Sequence, residues 1–250
     1  MSGNLELHYI PELDAYLGAP ITKSKTAYLF FKRAFDLLIS SLVLLVLTPL
    51  LIILALMVRI DSRGPAIFIQ TRIGAKQRKY NGHAYWERTT FPCYKFRTMR
   101  DKCDQTIHQA FVAAFINKDE AKMNAMQKNG DPSVRKLTND PRITRLGRFL
   151  RRSSLDELPQ FVNVLKGEMS LVGPRPAIPY EIEMYQPWHF QRLNARPGMT
   201  GLWQVTARSS TDFDIMVKLD IEYIQNQSFW LDMKLIFKTP LVVLSSRGAV

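Results

Sequence analysis

The sequence predicts a protein of mixed α/β (α+β) class, in which a compact, helix-rich domain with short strands follows an N-terminal membrane helix hairpin. Three observations support this fold class. Residues 34–58 are almost all apolar, residues 64–74 and 91–99 carry the β-branched and aromatic residues typical of strands, and later stretches have helical patterns. The hairpin is expected to break at Pro49, and the rest of the chain is expected to form one domain.

The composition indicates a folded protein with an anionic partner. Its 250 residues suffice for a full core, and the formal net charge is +12 with a sequence pI near 9.8. Nucleic acid, acidic lipid head groups and a phosphorylated substrate all fit this charge. The two cysteines form no CxxC pair and the four histidines lack metal-ligand spacing, which favours a reducing compartment and no zinc site. Acidic residues near the start predict that the N-terminus is not a cleaved signal peptide.

The apolar run over residues 34–58 predicts a membrane segment. As a straight helix its 25 residues would measure about 37 Å, which exceeds a hydrocarbon core of about 30 Å. Lysine and arginine residues flank the run on both sides, and the positive-inside rule places both flanks in the cytoplasm. Pro49, with Thr48 beside it, therefore predicts a helix-break-helix hairpin that enters and leaves on one face. A proline-kinked helix that crosses the bilayer is the alternative.

The elements that follow are predicted from local patterns. Residues 64–74 and 91–99 are predicted strands, and residues 101–126 form a predicted helical stretch that ends before a loop at residues 130–132.

Two later predicted helices carry positive charge. In residues 138–150, Arg142, Arg145 and Arg148 recur at helical spacing and are expected to share one face, which either faces solvent or binds an anion. Residues 228–244 interleave apolar residues with lysines, as in a core-packing helix or a helix that lies in the membrane interface.

A pair of adjacent carboxylates, Asp156 and Glu157, follows several arginine residues in this basic chain. Ser154 and Glu157 have the spacing of a capping box, in which each side chain bonds a backbone N–H at a helix start. That interpretation leaves Asp156 without a role.

Six motifs in one order resemble the bacterial sugar transferase family, the monotopic phosphoglycosyltransferases. The similarity runs from about residue 28 to about residue 243, and this chain resembles the compact form of the family. The motifs are Lys-Arg-Ala-Phe-Asp at 32–36 before the broken apolar helix, Gln-Thr-Arg-Ile-Gly at 70–74, Tyr-Lys-Phe-Arg-Thr-Met at 94–99, Ser-Leu-Asp-Glu-Leu-Pro-Gln at 154–160, Gly-Pro-Arg-Pro at 173–176 and Arg-Pro-Gly-Met-Thr-Gly at 196–201.

This resemblance implies a reaction. A sugar 1-phosphate passes from a nucleotide diphosphate sugar, usually a UDP-sugar, to a polyprenyl (undecaprenyl) phosphate, which starts a surface polysaccharide or glycoconjugate. The resemblance also implies Mg²⁺ and a covalent phosphosugar intermediate, with Asp156 as the nucleophile and Glu157 as a metal ligand beside it. An adjacent Asp-Glu pair suits both tasks, because Mg²⁺ favours one or two carboxylates together with phosphate oxygens and water.

Eight further residues are implied to bind substrate by their positions in the motifs. Arg175 suits phosphate clamping, although its turn is also compatible with a purely structural role. Arg151 is alternatively a surface or lipid-facing charge, Asp232 an exposed helical residue, and Trp203 part of the core. The implied substrate-binding residues are Lys95, Arg97, Arg151, Arg175, Arg196, Gln204, Arg208 and Asp232. Ala207 stands where the family usually has glycine, so the loop there is expected to differ in backbone conformation.

The expected organisation is an N-terminal extension over residues 1–27, a re-entrant membrane helix over residues 28–60, and a cytoplasmic catalytic domain with interfacial helices over residues 61–250. The expected location is the cytoplasmic face of the inner membrane. The expected partners are a UDP-sugar, polyprenyl phosphate and membrane lipids, without nucleic acid and with self-association left open. Residues 80–90 and 103–136 have no assigned role beyond a lid or a self-association surface.

Two other functions fit parts of the sequence. A membrane-tethered basic binding module would explain the excess of lysine and arginine. A nucleotide-sugar hydrolase would use the same metal site with water as the acceptor.

Overall fold

The computed structural model describes residues 23–80, 83–101, 103–104, 106–127, 140–207 and 211–244. Helices predominate in these ranges and strands are few, which confirms the predicted helix-rich α/β (α+β) class. The predicted N-terminal extension lies outside the described residues up to residue 22, and so does Arg208.

The first element, α1, is a 39-residue helix from Lys23 to Asp61 that contains Pro49. The hydroxyl of Thr48 donates to the carbonyl oxygen of Leu44 at 2.6 Å, as hydroxyl side chains of helices commonly do. The helix is thus not broken at Pro49 as predicted, because the residues on both sides of Pro49 are helical. Within the described ranges, α1 is the one helix long and apolar enough to cross a membrane.

A long antiparallel hairpin follows α1. Strand β1 spans Ile67–Tyr80 and pairs with β2, which spans His83–Phe96. The predicted strands cover mainly the base of this hairpin. Residues 83–90, which had no predicted role, form the outer part of β2. There Trp86 is buried, and the guanidinium of Arg88 lies 4.7 Å from the ring centre of Phe190. The outer half is thus fastened to the rest of the domain.

The predicted helical stretch over residues 101–126 is two short helices, α2 over Thr106–Ile116 and α3 over Glu120–Met126. Lys118 has a positive φ of 58° in the turn between them. Asp119 then caps α3, since its side chain accepts a hydrogen bond from the N–H of Lys122 at 3.0 Å.

Two helices flank the acidic pair. Helix α4 spans Arg145–Ser153, and the hydroxyl of its N-cap residue Thr144 accepts a hydrogen bond from the N–H of Gly147. A single 3₁₀ turn over Leu155–Glu157 then leads to α5, which spans Gln160–Lys166.

The remaining chain wraps around a two-stranded parallel sheet of β3, Ser170–Val172, and β4, Gly198–Thr200. Helix α6 over Pro179–Ile182 and a 3₁₀ helix over Pro187–Leu193 lie between these strands in sequence. The last described elements are the helices α7 over Leu202–Thr206, α8 over Phe213–Gln225 and α9 over Phe229–Leu244.

Close backbone approach fixes the turn that follows β3. The N–H of Gly198 donates to the carbonyl oxygen of Pro174 at 2.8 Å, and a Cβ atom on Gly198 would overlap the backbone of Gly173. Glycine is required at both positions for this contact. The Gly-Pro-Arg-Pro turn is therefore held rigidly against β4.

Helix α1 packs on the domain along both of its halves. In the first half, Lys32 bonds Asp232 of α9 at 2.7 Å. In the second half, Leu54 and Val58 pack with Phe96 of β2 and Leu150 of α4 in one buried cluster.

Two neighbouring residues of α4, Phe149 and Leu150, provide a test of this packing because one is exposed and the other is buried. Leu150 is 0% exposed and Phe149 is 56% exposed. We expect Leu150→Ala to lower the free energy of unfolding by about 2–5 kcal/mol, because it leaves a cavity between α1 and β2. Phe149→Ala should change it by less than about 1 kcal/mol in detergent, because this ring fills no buried space. Equal losses in chemical denaturation would contradict the described packing.

Candidate active site

The two adjacent carboxylates lie in the 3₁₀ turn between α4 and α5. Asp156 is only 9% exposed, whereas Glu157 is partly exposed and its Oε1 lies 2.6 Å from Nζ of Lys95 on β2. Burial, followed by the charge of Glu157, raises the pKa of Asp156 to about 6, although Lys95 and Arg151 counteract this rise. Asp156 is thus a buried carboxylate that is mainly ionised at neutral pH.

The backbone of Ser154 explains how the acidic pair is presented. Ser154 has a left-handed conformation with φ 57°, and its N–H closes α4 by bonding the carbonyl oxygens of Arg151 and Leu150. Its side chain makes no capping hydrogen bond at the next turn, so the predicted capping box with Glu157 is wrong. The left-handed conformation of Ser154 changes the chain direction directly after α4, and Glu157 can then contact Lys95.

Arg151 in the last turn of α4 lies beside the acidic pair. Its Nε donates to Oγ1 of Thr98 at 2.9 Å, and its charge lowers the pKa of Asp156 against the effect of burial. The side chain is partly buried, in contrast to the neighbouring Arg152, which is exposed. The alternative of a lipid-facing Arg151 does not fit these contacts.

Further cations lie at the base of the hairpin, near the acidic pair. Burial raises the pKa of the Cys93 thiol on β2, and its charged neighbours are Lys95, Arg72, Glu157 and Arg175. The charges of all four groups therefore act on this one thiol at the base of the hairpin. Arg72 is buried and donates to the carbonyl oxygen of Pro176 at 2.9 Å. The predicted site residues Lys95 and Arg175 thus come together with Arg72, which the sequence showed only as part of a motif.

Arg175 lies next to a buried tryptophan. Its guanidinium is 5.8 Å from the ring centre of Trp203, close enough for a cation–π contact. Trp203 is 7% exposed and belongs to the main apolar cluster of the domain, so its interpretation as a core residue is confirmed. The core therefore also forms a wall beside Arg175.

Helix α2 contributes His108, which the sequence analysis did not identify. Its Nδ1 lies 2.8 Å from the hydroxyl of Tyr180 on α6. Burial lowers the pKa of His108 to about 4, and four arginines add to the effect: Arg72, Arg175, Arg142 and Arg151. His108 is therefore neutral at pH 7 among several cations. Helix α2, which belongs to the part of the chain without a predicted role, therefore brings a neutral histidine within reach of these four charges.

Arg142 precedes α4, so it does not share a helix face with Arg145 and Arg148 as predicted. It pairs with Asp140 instead, at 2.6 Å. Although burial opposes the effect, hydrogen bonds from Arg142 hold the pKa of Asp140 below its usual range. Arg145 and Arg148 are exposed.

Four of the predicted binding residues make their described contacts away from the acidic pair. Arg97 donates to the carbonyl oxygen of Ser62 at 2.6 Å, just beyond the end of α1. Asp232 accepts hydrogen bonds from Tyr28 and Lys32 on α1 and from Tyr223 on α8. Both residues therefore fasten α1 to the domain.

Arg196 and Gln204 complete the predicted set. Arg196 is largely buried near the charges of Arg33 and Asp36 on α1, and burial lowers its pKa. Gln204 donates to the carbonyl oxygen of Met199 at 2.9 Å, which supports the loop before α7. The predicted residue Arg208 lies outside the described residues.

The donor set at the acidic pair fits Mg²⁺. Among the residues that the structure describes, no three or more acidic, histidine or cysteine side chains form a metal-binding group. A dedicated protein cage is not what Mg²⁺ needs, because it is commonly held by one or two carboxylates together with substrate phosphates and water. Asp156 and Glu157 are such carboxylates. Burial, followed by the charge of Glu157, raises the pKa of Asp156, and a divalent cation would relieve the repulsion between the two carboxylates.

Comparison with known proteins identifies the family. The model of the family described as bacterial sugar transferase matches residues 27–246, which include every motif above. The chain belongs to the bacterial sugar transferase family. This confirms the resemblance inferred from the six motifs, and the acidic pair with its cations is the family member's candidate active site.

Two relatives illustrate the similarity. The undecaprenyl-phosphate galactose phosphotransferase of Salmonella typhimurium is 41% identical over 226 residues, which are 90% of this chain and 43% of that protein. The exopolysaccharide production protein ExoY of Rhizobium meliloti is 38% identical over 218 residues, 87% of each chain. The chain thus spans under half of the first relative and most of the second.

The raised pKa of Asp156 predicts that this side chain destabilises the fold. Its proton affinity is higher in the folded chain than the ordinary value of 3.8, so stability falls as the pH rises through about 4 to 6. At pH 7.5 and without Mg²⁺, Asp156→Asn should therefore raise the free energy of unfolding by up to about 3 kcal/mol. The gain should shrink as the pH falls below about 6.

Asp140→Asn is the matched control, because the lowered pKa of Asp140 predicts a change of the opposite sign. Its melting temperature at pH 7.5 should fall. A lower melting temperature for Asp156→Asn at pH 7.5 would contradict the buried, repelled carboxylate described above.

Proposed function

We propose that this protein transfers a sugar 1-phosphate from a UDP-sugar to undecaprenyl phosphate, or to a similar polyprenyl phosphate, through a covalent intermediate on Asp156. The observation that carries the proposal is a buried carboxylate, Asp156, among cations in a member of the bacterial sugar transferase family. Such a step initiates a surface polysaccharide or another glycoconjugate.

The names of the relatives support the proposed acceptor, undecaprenyl phosphate, but they do not indicate which sugar this chain transfers. Relatives are named as undecaprenyl-phosphate phosphotransferases of galactose in Salmonella typhimurium, of glucose in Komagataeibacter xylinus and of N-acetylgalactosamine in Aeromonas hydrophila. The acceptor is common to these names and the sugar varies, so the proposal assigns no particular sugar to this chain.

The proposed reaction has two displacements at one phosphorus atom. An ionised oxygen of Asp156 attacks the phosphorus that carries the sugar, and the bond from this phosphorus to the bridging oxygen breaks, so that UMP leaves with the electron pair. A phosphate oxygen of the polyprenyl phosphate then attacks the same phosphorus. The bond to Asp156 breaks in this second step and restores the carboxylate.

The side chains around Asp156 suit this chemistry. Lys95 holds Glu157 at 2.6 Å, which keeps the second carboxylate beside the first. Arg151, whose charge acts on Asp156, and Arg175, beside Trp203, would bind phosphate oxygens, on which charge develops during both displacements. Asp156, with a pKa of about 6, is mainly ionised at neutral pH and is more basic than an ordinary aspartate.

Asp156 and Glu157 would hold Mg²⁺ together with oxygens of the diphosphate. When bound, Mg²⁺ would offset the repulsion between the attacking carboxylate and the anionic substrate.

We further propose that α1 enters and leaves the membrane on the cytoplasmic face of the inner membrane. Lys32 in its first half bonds Asp232, and the carbonyl oxygen of Val58 near its end accepts a hydrogen bond from Arg97. Both contacts are with one domain, whereas a helix that crossed a core of about 30 Å would place its two ends on opposite sides of the membrane. Because α1 is helical throughout, this topology requires α1 to bend, and Pro49 is the residue that would allow a bend. Positive charge on both flanks supports the same topology.

Exposed apolar side chains mark the proposed membrane face. They lie on α1, α4 and α9, where a soluble surface would carry polar residues. These residues are Phe30, Leu38, Leu45, Val46, Ile60, Phe149, Trp230, Phe237 and Leu241.

The transfer proposal predicts UMP release that depends on lipid. Purified protein in detergent, with Mg²⁺ and a panel of UDP-sugars, should release UMP at least about tenfold faster when undecaprenyl phosphate is added. Asp156→Asn should lower this rate by roughly a thousandfold or more, because it removes the nucleophile. Glu222→Gln is the matched control, since it neutralises an exposed carboxylate on α8.

Other outcomes would contradict the proposal. UMP release that ignores the lipid would favour a nucleotide-sugar hydrolase. Absence of UMP release with every donor, together with salt-sensitive binding of oligonucleotides, would favour the basic binding module.

A further inference from the structure

We propose that Arg192 and Asp220 are positioning residues that aim Arg175 at the substrate diphosphate. They form a buried ion pair, in which Asp220 holds Arg192 and Arg192 bonds the backbone of Arg175 in the Gly-Pro-Arg-Pro turn. The inference rests on the proposed function only in assigning a diphosphate to Arg175.

The ion pair is fully enclosed by the protein. Arg192 lies in the 3₁₀ helix over Pro187–Leu193 and Asp220 lies in α8, and both side chains are 1% exposed. Nη2 of Arg192 is 2.6 Å from Oδ2 of Asp220. The other terminal nitrogen of Arg192, Nη1, donates to the hydroxyl of Tyr185 at 3.0 Å.

The pair engages the peptide groups of Arg175. Nη2 of Arg192 also donates to the carbonyl oxygen of Arg175 at 3.3 Å. Burial raises the pKa of Asp220, and the charge of Arg192 is the largest effect that counteracts this rise. The carbonyl oxygen of Arg175 is therefore held by Arg192, which Asp220 holds in turn. The guanidinium of Arg175 lies 5.8 Å from the ring centre of Trp203, and its charge acts on Arg72 and His108.

A buried ion pair needs an explanation beyond stability. Removing two charges from water costs several kcal/mol per ion, and apolar side chains of similar volume often stabilise a fold equally well. Arg192 contacts three different groups at once: the carboxylate of Asp220, the hydroxyl of Tyr185 and the carbonyl oxygen of Arg175. An apolar side chain of similar volume would leave the carbonyl oxygen of Arg175 without this donor.

The location of Arg175 beside another cation explains why its backbone needs to be held in place. Burial lowers the pKa of Arg72, and the charge of Arg175 lowers it further, so the two cations repel each other when no anion is bound. A misplacement of about 1 Å at a reacting centre can cost a hundredfold in rate. Holding the backbone of Arg175 keeps its side chain in place before the diphosphate arrives.

A double-mutant cycle tests the positioning role. Asp220→Asn keeps the shape of the side chain and removes its charge, and Arg175→Ala removes the group to be aimed. We expect Asp220→Asn alone to weaken UDP-sugar binding, measured by calorimetry, by about ten- to hundredfold. In the Arg175→Ala background the same change should weaken binding by less than about twofold, because no guanidinium remains to be misplaced.

Thermal unfolding separates this role from a purely structural one. Asp220→Asn should lower the melting temperature by the same amount in both backgrounds, since the buried charge of Arg192 loses its partner in each. Tyr185→Phe is the matched control: it removes the bond to Nη1 of Arg192 but leaves the contact with Arg175, so UDP-sugar affinity should change by less than about twofold. If Asp220→Asn does not fold, Arg192→Lys replaces it in the cycle, because lysine cannot bond Asp220 and Arg175 through a planar fork.

The outcomes are distinct for the two proposals. Equal losses of affinity from Asp220→Asn in both backgrounds, or no loss in either, would overturn the positioning role. Normal UDP-sugar binding without transfer to lipid would contradict the proposed function and leave the binding cycle valid. Absence of UDP-sugar binding by the unchanged protein would contradict both.

Discussion

The proximity of two carboxylates in one short buried turn is the constraint on which the rest of the site depends. Asp156 and Glu157 repel each other, and burial of Asp156 increases the cost of its charge. Lys95 and Arg151 reduce this cost from two different elements, β2 and α4. The site therefore exists only when the hairpin base, α4 and the 3₁₀ turn are assembled together.

The same assembly links the membrane helix to the site. Thr98, which bonds Arg151, follows directly after Arg97, which bonds the end of α1. Lys95 lies two residues before Arg97 in the same segment. A displacement of the end of α1 would therefore be transmitted along four residues to the acidic pair. If α1 lies in the membrane as proposed, this short path connects the membrane-facing part of the protein with its candidate active site.

Sequence motifs predicted the acidic pair, Lys95, Arg151 and Arg175, because these residues lie in short segments with distinctive local chemistry. The capping box failed because a left-handed Ser154 cannot be recognised from spacing alone. The outer hairpin lacks the apolar alternation that identified its base, so its strands were predicted too short. In each case the missing information was backbone conformation or pairing.

Tertiary proximity accounts for the remaining differences. His108 and Arg72 join the site only because α2 and β1 fold over it, and neither has a local motif for metal or nucleotide binding. The predicted residues Arg97 and Asp232 are buried charged residues. Their hydrogen-bond partners, on or near α1, are distant in sequence. A buried charge indicates an essential partner, but sequence alone does not say whether that partner is substrate or protein.

The most direct test of the central claim is the mass of the intact protein after incubation with Mg²⁺ and UDP-sugars in the absence of lipid acceptor, followed by peptide mapping. The account predicts an increase equal to one phosphosugar, located on Asp156 and lost when undecaprenyl phosphate is added. A phosphosugar located on any other residue, or lipid-dependent UMP release that persists in Asp156→Asn, would contradict it.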